Sequence, residues 1–599
     1  MTHPVRPVGI NTIQATFTEQ ADGSLIVASP EMLGPWPAPL SQCVRNWALI
    51  APDRVCFARR GADHAWVQVT YAEAWRKIQA LAGAIVARGL SAERPIAILS
   101  GNSIEHALLA LAAMHVGVPY TPVSVAYSLV SSDFSKLRHI FDVTTPGLVF
   151  AEDGHAFAAA IAATVAPNVE LVFNANPPND LRTTNFDDLV HSSTEGVDAA
   201  AARVGNDTIA KFLFTSGSTG LPKGVITTQR MLCSNQAMLN AVFPDFATTP
   251  PVLVDWLPWN HTFGGNHNFG LVLTHGGTLY IDDGKPVPGK PMQESIANLR
   301  EIAPTVYFNV PKGFEELVGY LEREPDLRRT FFSRVNLMFY AGAGLAQHVW
   351  DTLDRLAIET TGHKVTMMTG LGSTETAPFA LSCVPDCVRA GVVGLPVAGT
   401  ELKLVPNGDK WEARIKGPNI TPGYWRNPAQ TAAAFDADGW YSFGDALRWV
   451  DPARKDWGFA FDGRISEDFK LGTGTWVSVG PLRAGLLDAL APYIRDVVVA
   501  GIDRDYLAVI LIPDVQAWAA VPDLNDRIGV ALKTHAAKSR GSSTRVVRAV
   551  MLHDPLSIDI GEITDKGSIN QRAVLKARAN LVVALYANPK TPDIISIED

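Results

Sequence analysis

This sequence has few cysteines, no long apolar run and no excess of basic residues. The five cysteines in 599 residues are too few for a disulfide framework, so reduced thiols in the cytoplasm are expected. Cys383 and Cys387 have no matching histidine or cysteine pair, which argues against a metal site there. No run approaches the ~20 apolar residues of a membrane span, and the N-terminus lacks the apolar core of a signal peptide. The net charge of −9 argues against non-specific binding to nucleic acid.

The length and the order of the apolar segments predict an α/β protein of two or more domains. Hydrophobic residues make up 47% of the chain and charged residues 19%, as in an ordinary globular protein. Strand and helix patterns alternate, which predicts parallel or mixed sheets flanked by helices. Residues 1 to about 35 are expected to be irregular. Thr70 and Glu73 form a capping-box pattern that predicts a helix through about Ala87.

One loop is unusually rich in glycines and hydroxyls and ends in a lysine. An apolar run, 209–214, precedes it and reads as a buried strand, and residues 225–241 after it are expected to form a helix. Glycine lets backbone N–H groups approach an anion, hydroxyls donate hydrogen bonds to it, and lysine supplies a positive charge. This composition suits a tri- or pyrophosphate. The residues concerned are Thr215, Ser216, Gly217, Ser218, Thr219, Gly220 and Lys223.

The loop is not a Walker phosphate loop, because Pro222 precedes Lys223 and Gly224 follows it. A flexible surface loop is the alternative interpretation. The ten residues 215–224, TSGSTGLPKG, resemble the phosphate-binding loop of the adenylate-forming enzymes: acyl- and aryl-CoA synthetases, luciferases and peptide-synthetase adenylation domains.

A histidine follows a predicted strand at residues 252–257. Taken alone, His261 would be a structural histidine in a loop. The stretch 258–264 is similar to the P-x-x-H-x-[FY]-G segment of that family. The resemblance implies that His261 lies between the carboxylate and the thiol channel. It also implies an acid pocket, whose predicted residues are Phe263, Asn266, His267 and Gly370.

A carboxylate follows the predicted strand at residues 365–369. Glu375 alone would be a solvated surface group, but Mg²⁺ requires one or two carboxylates beside substrate phosphates. The stretch 370–375 resembles the family's Y-G-x-T-E, which implies that Thr374 binds the α-phosphate and Glu375 holds the metal. The family usually has an aromatic residue where Leu371 stands, and leucine cannot stack on adenine.

Further stretches resemble the family's nucleotide-binding segments. Asp445 matches the aspartate of G-W-x-x-T-G-D, which implies hydrogen bonds to both ribose hydroxyls. Residues 462–470 resemble the hinge segment, in which Ser466 departs from the usual lysine or aspartate. The nucleotide-binding residues implied here are Gly342, Ala343, Gly344, Gly372, Asp445, Arg464 and Lys470.

The resemblance also implies a small, mobile C-terminal α+β domain that carries a catalytic lysine. Lys566 is the match for that lysine, and an exposed loop lysine is the alternative. The predicted boundary divides residues 1–462, the adenylation domain, from residues 463–599. The small domain would rotate between two half-reactions, replacing Lys566 by the loop after Lys470.

The function implied is an ATP-dependent acid–CoA ligase that uses ATP, Mg²⁺ and coenzyme A. Residues 117–141, 470–483 and 563–578 together look like the bacterial feruloyl-CoA synthetases, which points to a hydroxycinnamate. Benzoate-type or medium-chain acids are alternatives. Two other functions are alternatives. One is an enzyme that loads a carrier protein, although no G-G-x-S attachment motif follows Lys566, and the other is a non-catalytic nucleotide-binding protein. The expected partners are a small carboxylic acid, ATP and CoA, with no nucleic acid and no membrane span, and the expected state is a monomer or homodimer.

Overall fold

The computed structural model describes residues 3–179, 181–216, 220–284, 292–514, 521–539, 541–564 and 567–597. Within these ranges the strands form five sheets, of eleven, seven, four, four and two strands. A large part with three sheets flanked by helices is followed by a smaller α+β part, which confirms the predicted fold class.

The largest sheet combines an antiparallel half with a parallel edge. Its parallel strands, at one edge, lead into the segments around Ala341 and Glu375. In spatial order the strands are Thr16–Glu19, Leu25–Ala28, Glu401–Asn407, Lys410–Lys416, Tyr441–Trp449, Phe459–Arg464, Val392–Pro396, Leu381–Ser382, Thr366–Leu371, Leu337–Tyr340 and Val306–Asn309.

The seven-stranded sheet is parallel except for its first strand, and it carries the predicted phosphate loop, residues 215–224, at that edge. Its order is Lys223–Thr228, Ile209–Thr215, Tyr120–Pro122, Ile96–Leu99, Leu148–Asp153, Glu170–Ala175 and Thr183–Asn185. A third sheet consists of Val252–Asp255, Thr278–Ile281, Val55–Arg60 and Trp66–Thr70.

The smaller part begins after the strand Phe459–Arg464. Its sheet, Ile494–Ala500, Leu507–Pro513, Val546–Met551 and Ile594–Ser596, packs against the helices Val479–Leu490 and Leu524–Ala537. The two-stranded hairpin is Phe469–Lys470 and Trp476–Val477.

Helices cover the sheets. The capping box of Thr70 is present, and the helix that it opens ends at Ala87, as predicted. The α-helices of the large part are Ser41–Ile50, Tyr71–Ala87, Ile104–His115, Ala126–Leu129, Ser135–Thr144, Ala158–Thr164, Phe186–Leu189, Val197–Ala201, Gln229–Val242, Phe269–His275, Gln293–Glu301, Pro311–Arg323, Pro325–Arg334, Gln347–Thr361 and Pro428–Ala434. Those of the small part are Val479–Leu490, Leu524–Ala537, Gln571–Ala577 and Ala579–Tyr586.

Two local predictions are wrong. The expected helix at 225–241 begins only at Gln229, because Lys223–Thr228 is a strand antiparallel to Ile209–Thr215. The β-branched residues of the strand Lys223–Thr228 favour an extended chain. Residues 1 to about 35 are not irregular throughout, since Thr16–Glu19 and Leu25–Ala28 form a hairpin in which Val27 is fully buried.

The five cysteines are free thiols and all are buried. In the part of the chain that is described, no helix is both long and apolar enough to cross a membrane. The same residues contain no cluster of three or more histidine, cysteine, aspartate or glutamate side chains arranged to hold a metal ion.

Two helical glycines predict opposite effects of the same substitution. A Cβ at Gly83 would overlap the backbone carbonyl of Ser193, whereas a Cβ at Gly319 would meet only the flexible end of Arg323, at 3.4 Å. Gly319→Ala should stabilise the protein by about 1 kcal/mol. Gly83→Ala should destabilise it by about 1–3 kcal/mol, because backbone must shift. Thermal unfolding at one scan rate should therefore show midpoints that move in opposite directions; a rise for both would contradict the packing at Gly83.

Candidate active site

Two charged groups from different sheets meet across a tyrosine hydroxyl. The Lys223 ammonium donates to the Tyr424 hydroxyl at 2.6 Å, and that hydroxyl donates to Glu375 Oε1 at 3.0 Å. Lys223 Nζ lies 3.4 Å from the same Oε1. Burial, and then the charge of Glu375, raise the pKa of Tyr424, so its hydroxyl keeps the proton that it donates.

The segment that carries Tyr424 joins both charged residues through the backbone. Tyr424 bridges Val225 in antiparallel fashion, and Trp425 N–H donates to the Gly224 carbonyl at 2.8 Å. At the other end, Thr421 N–H donates to the Glu375 carbonyl at 2.8 Å. This segment therefore sets the distance between the strand Lys223–Thr228 and the Glu375 carboxylate.

The predicted phosphate loop connects two antiparallel strands. Thr215 ends the first strand, and its buried hydroxyl has no hydrogen-bond partner among the described residues. Ser216 and Gly220 are exposed, and Gly220 has a φ of +89°, which favours glycine. The predicted phosphate ligands Gly217, Ser218 and Thr219 lie outside the described residues.

Asp445 and Arg464 lie opposite each other on neighbouring strands. Arg464 Nε is 3.5 Å from Asp445 Oδ1, which is buried and accepts no hydrogen bond from any residue that the structure describes. Burial raises the pKa of Asp445 to about 6, although the Arg464 charge opposes the rise. The pair thus offers a buried acceptor beside a largely exposed guanidinium.

The predicted adenine segments lie at the ends of the parallel strands. Gly342, Ala343 and Gly344 form an exposed turn after the strand Leu337–Tyr340, and Gly342 has a φ of +90°. Gly372 follows the strand Thr366–Leu371, and a Cβ there would overlap the Pro378 carbonyl. Thr374 is buried beside Glu375 in a short 3₁₀ turn.

Three of the four predicted acid-pocket residues, Phe263, Asn266 and His267, lie on one π-helical turn, Phe263–Asn268, preceded by half-buried His261. The fourth, Gly370, lies on the strand Thr366–Leu371. Two residues outside this π-helical turn donate hydrogen bonds to its carbonyls. The fully buried Lys211 donates to the Gly265 carbonyl at 2.7 Å, and Gln236 donates to the Asn266 carbonyl at 3.0 Å. Burial lowers the pKa of Lys211 to about 7. Such turns are frequent at functional sites.

His267 is the centre of a group of aromatic rings. Its ring centroid lies 5.2 Å from that of Phe263 and 5.6 Å from that of Phe339, with Phe308 and Phe379 at 5.5 and 6.1 Å. Phe263 is partly exposed, whereas the others are buried. The predicted pocket residue Gly370 adjoins this group, since a Cβ there would lie 3.4 Å from the Phe339 ring; Asn266 instead donates to the Thr262 hydroxyl at 3.0 Å.

The remaining predicted residues lie in the C-terminal part. Lys470 is exposed on the hairpin, its Nζ 5.7 Å from the Trp476 ring centre and its carbonyl accepting from Asp503 N–H. The Ser466 carbonyl accepts from Arg572. The predicted catalytic Lys566 lies outside the described residues.

Several residues of this site carry no sequence signal. Tyr424 follows a glycine in an unremarkable loop, and Phe308, Phe339 and Phe379 come from buried strands or their ends, where phenylalanine is ordinary. Asp255 has a weak signal, because a carboxylate ends an otherwise apolar strand.

Comparison with known proteins gives consistent matches. Residues 44–425 match the family described as AMP-binding enzyme, and residues 471–590 match the AMP-binding enzyme C-terminal domain. Long-chain-fatty-acid–CoA ligase FadD15 of Mycobacterium bovis is 27% identical over 600 residues, which cover 89% of this chain and 95% of the ligase. A carboxylic acid reductase of Mycobacterium marinum is 24% identical over 635 residues, or 96% of this chain but only 52% of the reductase.

A solved structure shows the same fold. The anthranilate CoA ligase AuaEII in complex with anthranoyl-AMP superposes with a TM-score of 0.71 over 92% of this chain and 99% of that one, at 18% identity. The first family match alone covers more than half of the sequence. The chain therefore belongs to the AMP-binding enzyme family and is an adenylate-forming acid–thiol ligase.

Proposed function

We propose that this enzyme joins a hydroxycinnamic acid such as ferulate to coenzyme A, converting ATP to AMP and pyrophosphate. The observation that carries the proposal is the contact of Lys223, Tyr424 and Glu375. This contact brings the cation of the predicted phosphate loop to a carboxylate that follows a strand of another sheet. A charge pair of this kind suits a polyphosphate and its metal.

The first half-reaction activates the acid. A carboxylate oxygen attacks the α-phosphorus, and pyrophosphate leaves. Positioning and charge stabilisation carry such a phosphoryl step, and covalent catalysis by the protein is not needed. Lys566 is proposed to bridge the carboxylate and the α-phosphate as charge builds there, and Thr374 to donate to the α-phosphate.

The phosphate loop is proposed to hold the β- and γ-phosphates. Lys223 would turn from Glu375 toward them, together with the hydroxyls and amides of residues 215–220. The buried, unpartnered hydroxyl of Thr215 supports this role. Glu375 provides oxygen donors of the kind that Mg²⁺ prefers, already facing a cation at 3.4 Å, so the residue fits the metal. When bound there, Mg²⁺ would neutralise phosphate charge.

The nucleoside is proposed to lie between the strand ends. Asp445 Oδ1, buried and without a hydrogen-bond partner, suits a ribose hydroxyl, and Arg464 adjoins it. The turn Gly342, Ala343 and Gly344 would lie along the adenine with Gly372.

The ring group around His267 supports an aromatic acid, because flat rings pack well on one another. Likeness to a ligase for anthranilate is in keeping with this choice. The resemblance to feruloyl-CoA synthetases remains a prediction. Benzoate-type and medium-chain acids remain alternatives, the latter supported by the long-chain ligase.

In the second half-reaction the CoA thiol attacks the acyl-adenylate and AMP leaves. His261 is proposed to lie between the carboxylate and the thiol channel. The domain boundary at 462–463 and the rotation that brings in the loop after Lys470 are part of this proposal. The likeness to a long-chain-fatty-acid–[acyl-carrier-protein] ligase of Arabidopsis thaliana, 29% identical over 240 residues, favours a carrier-bound thiol as the second candidate acceptor.

The proposed reaction is tested by AMP release with ATP, Mg²⁺ and a panel of acids, with and without CoA. Ferulate, coumarate, benzoate, octanoate and acetate form the panel. CoA-dependent turnover should be fastest with ferulate or coumarate. Faster turnover with benzoate or octanoate would contradict the substrate, and pyrophosphate exchange without a CoA thioester would contradict the acceptor.

Lys566→Ala should separate the two half-reactions. Because the charge is needed where negative charge builds on phosphorus, adenylate formation should fall at least about a hundredfold. Thioester formation from added acyl-AMP should stay within about twofold of the wild type. Single-turnover assays of each half-reaction measure both rates, and Lys576→Ala, an exposed helical lysine, is the matched control. Equal loss in both halves would refute the role of Lys566.

Tyr424→Phe should weaken the use of ATP. Without the hydroxyl, the Lys223–Glu375 ion pair, now at 3.4 Å, can close to direct hydrogen-bond distance, and the phosphates must then separate it. Since hydrogen bonds to charged groups contribute about 1.5–3 kcal/mol, kcat/KM for ATP should fall about tenfold or more. Tyr320→Phe, on the helix Pro311–Arg323, is the control. An unchanged kcat/KM for ATP would show that the hydroxyl does not order the pair.

A further inference from the structure

A chain of hydrogen bonds ends at the His267 ring. The Asn268 amide Nδ2 donates to Asp255 Oδ2 at 2.9 Å and approaches the Phe308 carbonyl at 3.4 Å. A carbonyl can only accept, so the amide nitrogen must face these two oxygens. Asn268 Oδ1 therefore faces His267 Nδ1, 2.9 Å away, as an acceptor.

Asp255 is itself held in place. Its Oδ1 accepts the Leu257 N–H at 2.9 Å at the end of the strand Val252–Asp255. The carboxylate is buried and does not reach solvent. The orientation of Asn268 is thus fixed from the strand, independently of any ligand.

The chain determines which ring nitrogen of His267 carries the proton. Nδ1 must be the donor to Asn268, and a neutral imidazole then has its lone pair at Nε2. Burial lowers the pKa of His267 to about 4, so the ring is neutral at physiological pH. Nε2 is a hydrogen-bond acceptor.

That acceptor has no partner. Within the described residues, His267 Nε2 is buried and makes no hydrogen bond. Its neighbours are the rings of Phe263, Phe308, Phe339 and Phe379, which offer only carbon. A buried polar atom left unpaired is costly, and a hydrogen bond formed in such surroundings is strong. The group therefore favours a ligand that brings one donor into an aromatic setting.

We infer that His267 Nε2 accepts a hydrogen bond from a hydroxyl or N–H group on the distal end of the acid. The pocket would then select acids with such a donor, a phenolic hydroxyl above all, over the same acids without it. The inference rests on the proposed function, since it places the acid beside His267. Asn268 and Asp255 act as positioning residues that keep the acceptor free.

Matched pairs of acids test the inference in the full-length enzyme. The pairs are 4-coumarate and cinnamate, 4-hydroxybenzoate and benzoate, and 8-hydroxyoctanoate and octanoate. In the wild type, kcat/KM for CoA-dependent AMP release should favour the donor-bearing acid by about ten- to hundredfold in the best-used pair, because a buried acceptor is left unpaired by its analogue.

Three variants separate hydrogen bonding from packing. His267→Phe keeps a ring but removes the acceptor, so the ratio should fall to about one with the KM for ATP unchanged. His267→Gln offers an amide oxygen and should retain part of the preference, which keeps the test open if the phenylalanine variant fails to fold. His275→Phe is the matched control. His275 is also buried, and its Nε2 has no hydrogen-bond partner in the described part of the chain, but it lies beside Phe246 outside the ring group, so its loss should leave the ratio unchanged.

The outcomes distinguish the two proposals. A wild-type ratio near one, or a ratio that His267→Phe does not lower, overturns the inference while the ligase function stands. Absence of CoA-dependent turnover with every acid overturns the proposed function and the inference with it.

Discussion

The opposition of Lys223 and Glu375 across the hydroxyl of Tyr424 is the contact on which the rest of the site depends. Lys223 belongs to the seven-stranded sheet, and Glu375 follows a strand of the eleven-stranded sheet. Each charge is half or fully withdrawn from water, so neither would be tolerated there without the other. The pair therefore lies where the two sheets approach each other, and its opposite charges suit the proposed phosphate and metal.

The sequence predicted helices and strands correctly where the residues that determine them are adjacent in the chain. The capping box of Thr70 marks its helix because cap and first turn are contiguous in sequence. Residues 225–241, by contrast, were expected to form a helix, but the β-branched residues 225–228 continue as a strand and the helix begins only at Gln229. The hairpin at Thr16–Glu19 and Leu25–Ala28 was missed because four-residue strands give little periodicity.

The site was predictable only in part. Motifs located Lys223, Glu375 and Asp445, since each lies in a short conspicuous string. Tyr424, which contacts both Lys223 and Glu375, is 201 positions from the first and 49 from the second, so only the fold brings it between them. The same holds for the phenylalanines around His267, which in sequence are indistinguishable from core. Long-range partners of this kind arise from sheet order, which periodicity does not encode.

The π-helical turn Phe263–Asn268, which is proposed to bind the acid, is held rigidly by its surroundings. Its backbone is held at Gly265 by the buried Lys211 and at Asn266 by Gln236, while Asn268 ties its end to Asp255. A segment fixed at three points cannot shift to suit a different acid at low cost, because each contact is buried and would be left unpaired. Discrimination among acids must then come from the side chains that the turn presents. Phe263 and His267 lie one turn apart on it, so shape is set by one ring and polarity by the other.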